Sequence, residues 1–319
     1  MANEKNNQAL EQKKSAEMQF INYKNQITSS VMKRIETLEA AGGLNVPKNY
    51  SVGNQINLAM LRLTSMKDKD GNLVLSKCTS ASVANALLNM CIQGLSLEKG
   101  QCYFIPYGNE LQFQRSYLGN VALAKRVGGA GDPQAQVIYA NDVFEYIINP
   151  VTGKKQIVKH EQKLENIDNS KIVGAWCLIP FADHPEWDPK VEIMTMAEIR
   201  TAWMQGQTKG ESKAHRNFTQ EMAKKTIISR ACKMFLATSD DAGIYGEEDV
   251  DDQTQETTVM PNATEAVFEA LPQAPTAEVV EAGGNAEEAA ETAEKAAKPA
   301  EVPAEPAEDG SFGADFFNA

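Results

Sequence analysis

The sequence predicts an α+β fold, in which a small antiparallel β core is braced by helices, the N-terminal region is helical and an acidic C-terminal tail stays disordered. Three observations predict it. Apolar residues recur at helical spacing at both ends of the first 239 residues. Short aromatic and β-branched runs, punctuated by Gly, Asn and Pro, fill the middle. From about Asp240 the composition turns to Ala, Glu, Pro and Thr. Charge follows the same division: Met1 to Ser239 holds 29 Lys+Arg against 22 Asp+Glu, while Asp240 to Ala319 holds 2 against 21. The formal net charge of −12 is therefore +7 for the body and −19 for the tail, and the body can bind an anion.

In chain order, Asn3 to Ala41 carries Phe20, Ile27, Val31, Ile35 and Leu38 at amphipathic helical spacing, and Gly42-Gly43 stops the helix. A second helix is read over Val52 to Leu63. A clearer one runs from Ser80 to Gln93, with a stripe of Val83, Leu87, Met90 and Cys91, a cap at Thr79 and an end at Gly94. Gln101 to Tyr107 and Glu110 to Tyr117 meet at Gly108-Asn109 and read as a β-hairpin. Leu118 to Val127 is helical and closes at Gly128-Gly129. Strands are expected over Gln134 to Tyr139, Val143 to Ile148, Gln156 to His160, Ile172 to Phe181 and Lys190 to Met196, with Asn149 to Gly153 as a turn. Helices over Ala197 to Gln205 and Asn217 to Leu236 complete the body. The tail has too few large apolar residues to offset the entropy of ordering, and Pro261, Pro272, Pro275, Pro299, Pro303 and Pro306 oppose a long helix. The expected organisation is an N-terminal helical, oligomerising region at 1–45, a binding core at 46–239 and a disordered acidic tail at 240–319.

No apolar run is long enough to span a bilayer, and MANEKNNQAL lacks the apolar stretch of a signal peptide, so a cytoplasmic protein is expected. The five cysteines have no C-x-x-C spacing and the three histidines are scattered, which suggests neither a disulfide framework nor a zinc site. Buried free thiols are expected, with no metal, cofactor or catalytic residue.

Between Arg200 and Lys233 eight Lys+Arg face only Glu211 and Glu221. On a helical wheel from Asn217, Ala223, Ile227, Ala231, Met234 and Phe235 share one arc, and Lys225, Thr226, Ser229, Arg230 and Lys233 the other. Donors without carboxylate partners suit phosphate oxygens, although an ordinary solvated face would carry the same residues. Lys224 projects into the apolar arc and must snorkel or point into a groove. A second signal runs from Gly94 to Gly129, where Tyr103, Phe104, Tyr107, Phe113 and Tyr117 interleave with Lys99, Arg115, Lys125 and Arg126, the mixture used by single-strand binders. Alternation sends about half of these rings into the core, and for any single ring packing has the first claim.

The runs GLSLEKG, YFIPYGN, LQFQRSYLGNVALAKR and EMAKKTIISRACKMF, from about Cys78 to Leu236, strongly resemble the RecT family of phage and prophage single-strand annealing proteins. The resemblance implies a small antiparallel sheet braced by helices, ATP-independent annealing of complementary strands, rings or helical filaments of many copies, and a partner 5′-to-3′ exonuclease. Arg115, Tyr117, Lys125, Arg126, Trp203, Lys209, Lys213, His215, Arg216, Lys224, Lys225, Arg230 and Lys233 are the DNA-contacting set so expected. Two places depart from the family pattern: Tyr117-Leu118-Gly119 lacks a usual central charge, which Arg115 could supply, and Ser229-Arg230 stands where two basic residues are frequent. No G-x-x-x-x-G-K-[ST] is present, which weighs against an ATPase.

Two other readings compete. A metal nuclease could use Asp142 with Glu161 and Lys163 in a D…E-x-K arrangement, though such patterns arise by chance. A passive coat would hold single strands without pairing them, whereas an annealing protein has both single-stranded DNA and the annealed duplex intermediate as partners. The tail admits three roles: a solubilising polymer, a partner site at Asp315, Phe316 and Phe317 resembling the acidic and aromatic tips of bacterial single-strand DNA-binding proteins (with the host's own such protein as a further partner), or a DNA mimic.

Overall fold

A computed structural model describes residues 2–42, 44, 46–206, 208–237 and 271–284. The first layer is helical. Helix α1 (Ala2–Ala40) buries Phe20, Tyr23, Ile27, Val31 and Ile35, at intervals of three and four residues, against α2 (Val52–Ser65) and α4 (Ser80–Ile92). Full burial of each such aliphatic or aromatic side chain contributes roughly 1.5–3 kcal/mol. A single turn, α3 (Val74–Lys77), separates α2 from α4 and was not anticipated. Thr79 caps α4 by accepting from the Ser82 amide at 3.2 Å. Helix α4 is covered on both sides, by α1 and α2 and by the hairpin that follows, so its buried set extends well beyond the expected stripe.

That hairpin joins β1 (Cys102–Tyr107) to β2 (Glu110–Arg115) antiparallel, with Tyr107 opposite Glu110. The two-residue turn is at Gly108-Asn109, as expected. Alternation puts Phe104 and Phe113 inside, ring centroids 6.5 Å apart, and leaves Tyr103 exposed. The GLSLEKG run before it is a structural joint. Gly94, at φ +56, ends α4 in a Schellman arrangement, its amide bonding Cys91 O and the Leu95 amide bonding Met90 O. Ser116 then donates to Gly100 O at 2.6 Å and caps α5 (Tyr117–Val127). At Gly119 an added Cβ would collide with the Gln101 carbonyl, so the glycine of Tyr117-Leu118-Gly119 serves close packing.

The second layer is a three-stranded antiparallel sheet in the order β3 (Gln134–Tyr139), β6 (Ile172–Ile179), β7 (Lys190–Thr195). Ala175, Cys177 and Ile179 of β6 are fully buried. Helices α6 (Met196–Gln205), α7 (Lys213–Asn217) and α8 (Thr219–Ala237) follow, and α8 packs against the sheet, α5, α6 and α7. The helix expected over Asn217 to Leu236 is α8, beginning two residues later; Phe218, whose backbone (φ −131°, ψ 46°) is not helical, separates it from the short α7, which was not anticipated.

Strands β4 (Val143–Ile148) and β5 (Lys155–Glu161) form a separate hairpin with the expected turn. Its base is clipped by Asp142, whose buried carboxylate accepts from the Tyr139 amide (2.9 Å), Gln162 Nε2 (2.8 Å) and Asn166 Nδ2 (3.1 Å). His160 adds a 3.4 Å contact to Asp142 and accepts from Trp176 Nε1 of β6 at 3.0 Å. Burial disfavours the Asp142 charge, but the hydrogen bonds outweigh it and hold the carboxyl below the ordinary range.

Residues 271–284 correct the expectation of a tail without structure. They include a helix over 277–284 that buries Val279, Val280 and Ala282. Gly283 lies under the Phe20 ring of α1, and Gly284 beside Thr64 of α2. An apolar pair next to two glycines supplies locally what the tail lacks on average, namely a surface that can approach a helix closely.

All five cysteines are buried and none is in a disulfide, and burial pushes the thiols of Cys91, Cys102 and Cys177 up to about 12. A colorimetric thiol titration at pH 8 should therefore find essentially no reactive cysteine in the folded protein and the full complement after unfolding. The Asp142 clip gives a second expectation. Because its folded carboxyl is depressed, its stabilisation is complete at neutral pH and is lost as pH falls through the folded value. The protection of β4 and β5 amides, taken relative to the intrinsic exchange rate at each pH, should fall on acidification, and Asp142→Asn should flatten that dependence.

Candidate nucleic-acid interface

Helix α8 organises the basic surface. Ala223, Ile227, Ala231 and Phe235 point inward, as the wheel requires, but Thr226 and Ser229 are buried too and Met234 is exposed. The reason is pairing: Thr226 Oγ1 accepts the indole N–H of Trp203 at 2.8 Å, and Ser229 Oγ accepts from Asn120 Nδ2 of α5 at 3.0 Å. Small hydroxyl side chains with a partner are cheap to bury.

Around Trp203 the chain folds back on itself. Its ring meets His215 edge-on at 4.7 Å, and Gly210 packs against its Cβ. His215 Nδ1 lies 2.7 Å from Ser212 Oγ, the cap of α7. These contacts pin residues 208–212 and α7 onto α6, which Trp203 ties to α8. The pinned segment carries Lys209, Lys213 and Arg216, all exposed, with Lys225 half-buried on α8 and Arg200 exposed on α6. Among the described residues none of these five is paired with a carboxylate. Lys209 sits at φ 47°, a conformation imposed by the tight loop. Arg200 belongs to the basic run but was not among the residues expected to contact DNA; its lack of a partner is visible only in three dimensions.

Other expected contacts are placed differently. Trp203 is 7% exposed with its N–H satisfied, so it supports the surface and is not open for stacking. Arg115 is 4% exposed, its guanidinium 3.4 Å from Gln93 Oε1, and it does not supply the missing charge beside Leu118. Arg126 donates to Gln93 O (2.7 Å) and Gly94 O (3.0 Å), capping the carbonyl end of α4. Lys125 pairs with Asp132 at 2.6 Å in solvent. Lys224 reaches Glu221 at 3.3 Å. Arg230 Nε and Lys155 Nζ converge on Glu192 Oε1 at 3.4 and 3.3 Å. Lys233 is exposed, and Tyr117 and His215 are half-buried. Ser229 occupies an interior position, where a second basic side chain would have to be buried. Asp315, Phe316 and Phe317 lie outside the described residues.

Of the hairpin rings, Tyr103 is exposed and Tyr107 half-buried, its hydroxyl accepting from Gln114 at 3.3 Å. Tyr103 lines a shallow apolar groove with Leu63, Met66, Leu97 and Phe104, where Arg62 is held by Glu98 at 2.8 Å. The D…E-x-K reading loses its footing, because the Asp142 oxygens are occupied by protein donors and Glu161 pairs with Lys159 at 3.2 Å. No group of three or more metal-binding side chains occurs among the described residues, and none of their helices is long and apolar enough to cross a membrane.

No curated protein matches the chain. The model of the RecT family matches residues 56–261, which takes in α2 through α8 and so every element that builds the basic surface. The chain belongs to the RecT family, whose proteins bind single-stranded DNA and anneal it in phage-type recombination.

Proposed function

We propose that this chain anneals complementary single strands without ATP by holding their phosphates on the surface formed by α6, α7 and the start of α8. The observation that carries this reading is a set of five cations without a carboxylate partner among the described residues, Arg200, Lys209, Lys213, Arg216 and Lys225, on elements joined through a buried tryptophan. Two strands repel through their phosphates, and cations that neutralise them while leaving base edges open remove that barrier. Each base-pair step then supplies roughly 1.4 kcal/mol of stacking, so nucleotide hydrolysis is not required. Lys224, Arg230 and Lys233 flank the same helix and would join once DNA competes with Glu221 and Glu192.

The reading includes many copies acting together in the cytoplasm as a ring or helical filament. The first half of α1 supports this, since Leu10, Met18 and Ile21 are exposed within one arc of the helix. A 5′-to-3′ exonuclease that produces the strands and a host single-strand DNA-binding protein that holds them are the partners this role calls for.

The test is hybridisation of complementary oligonucleotides with no triphosphate present. The full chain should accelerate duplex formation; slowing it would identify a passive coat. Replacing Lys213, Arg216 and Lys225 with Ala should weaken binding to all sequences alike and reduce the slope of log affinity against log salt by about 2. Loss confined to some sequences would point to base readout. Trp203→Phe removes the indole donor and part of the ring volume and should cost about 1–3 kcal/mol of stability, whereas Trp203→Ala should cost about 3–5 kcal/mol and weaken DNA binding by freeing the loop that carries Lys209.

A further inference from the structure

The 271–284 segment is the feature that the annealing reading leaves unused. Its helix has eight residues, too short to persist in water by itself, so its order comes from the surface it covers. That surface is a groove between α1 and α2. Val279, Val280 and Ala282 are buried in it, Pro275 is buried just before the helix, and Gly283 accepts the Phe20 ring where any Cβ would collide. The match is selective: a side chain at 283 is refused, and the residues buried at 279 and 280 are apolar.

We propose that this groove is a docking site for residues 271–284 of a second copy of this chain, which bind there as the chain's own segment does. The contacts to Phe20 and Thr64 are between elements far apart in sequence, so the groove cannot distinguish its own segment from a neighbour's. Thirty-three residues separate Ala237 from Leu271. A chain of that length spans at most about 110–120 Å, well beyond the width of one protomer of this size. Copies bound side by side on one strand place a second groove within that reach; in this respect the inference rests on the annealing reading. Exchange would link neighbours through a segment outside the 56–261 region matched by the family.

The geometry supplies its own probe. A Cβ built on Gly284 lies 3.6 Å from the Thr64 Cβ, inside the range of about 3.5–4.5 Å that a disulfide needs. The natural cysteines are all buried, which keeps the background low. Two full-length variants, Thr64→Cys and Gly284→Cys, one carrying a size tag, are mixed with single-stranded DNA and oxidised. A mixed disulfide dimer, lost when Val280→Asp is added to the Gly284→Cys chain, is the expected result. If the chain carrying both cysteines closes on itself while the mixture gives no mixed dimer, docking is confined to one chain and the proposal fails. It fails equally if neither preparation cross-links, or if the dimer survives Val280→Asp. The same mixture is oxidised at high protein concentration without DNA, and DNA binding is measured separately by anisotropy. Mixed dimers in a chain that does not bind DNA would overturn the annealing reading and leave the exchange standing.

Discussion

The rotation of α8 about its own axis is fixed from inside, and the basic surface depends on it. The helix is wedged between the three-stranded sheet, α5 and α6, and apolar burial alone would tolerate some rotation. Two buried hydrogen bonds remove that freedom. Trp203 to Thr226 ties α8 to α6, and Asn120 to Ser229 ties it to α5. An unmatched donor in either place would cost about 1–3 kcal/mol, so the pairs select one rotation even if their net contribution to stability is small. Lys225 projects where it does because Thr226 and Ser229 cannot turn outward without abandoning Asn120 and Trp203.

The same logic separates two kinds of cation. Arg115 and Arg126 are spent on the interior: one is buried beside Gln93, and the other closes the carbonyl end of α4. A planar guanidinium suits this work, since it satisfies several acceptors at once and keeps its charge. Of the five cations without a carboxylate partner among the described residues, three are lysines, Lys209 on the loop, Lys213 on α7 and Lys225 on α8, whose flexible stems can follow a backbone of any sequence. That division fits a protein that must hold DNA without reading it. Arg216 and Arg200 are the exposed guanidinium groups of this surface that no carboxylate holds among the described residues.

Most of the fold was legible in the sequence. The strands, the Gly108-Asn109 turn and the helices flanking them fall within a residue or two of their expected places, because alternation and glycine placement are local signals. Three features were not legible, each because it depends on a partner distant in sequence. Thr226 and Ser229 read as solvent-facing because they are polar; only Trp203 and Asn120 make them interior. Arg115 and Trp203 read as DNA contacts because they are the right residue types in a basic neighbourhood, yet both are enclosed. Residues 271–284 read as part of a disordered tail because composition averages over a long stretch, while docking needs only Val279, Val280 and a glycine placed against Phe20. Of the site, the segment was legible and the choice of side chains was not.

A formal charge of −12 would seem to set this chain against DNA, and the physical resolution is distance. Screening at about 0.1 M salt limits the reach of an exposed charge to roughly 10 Å. A phosphate near Lys213 or Arg216 is therefore governed by the charges within that radius, and in sequence their neighbours are Lys209 with Glu211 and Glu221. The acidic surplus lies beyond residue 239 and, where it is described, rests on α1 and α2, whereas α8 packs on the sheet, α5, α6 and α7. Segregation, and not net charge, decides what the surface binds.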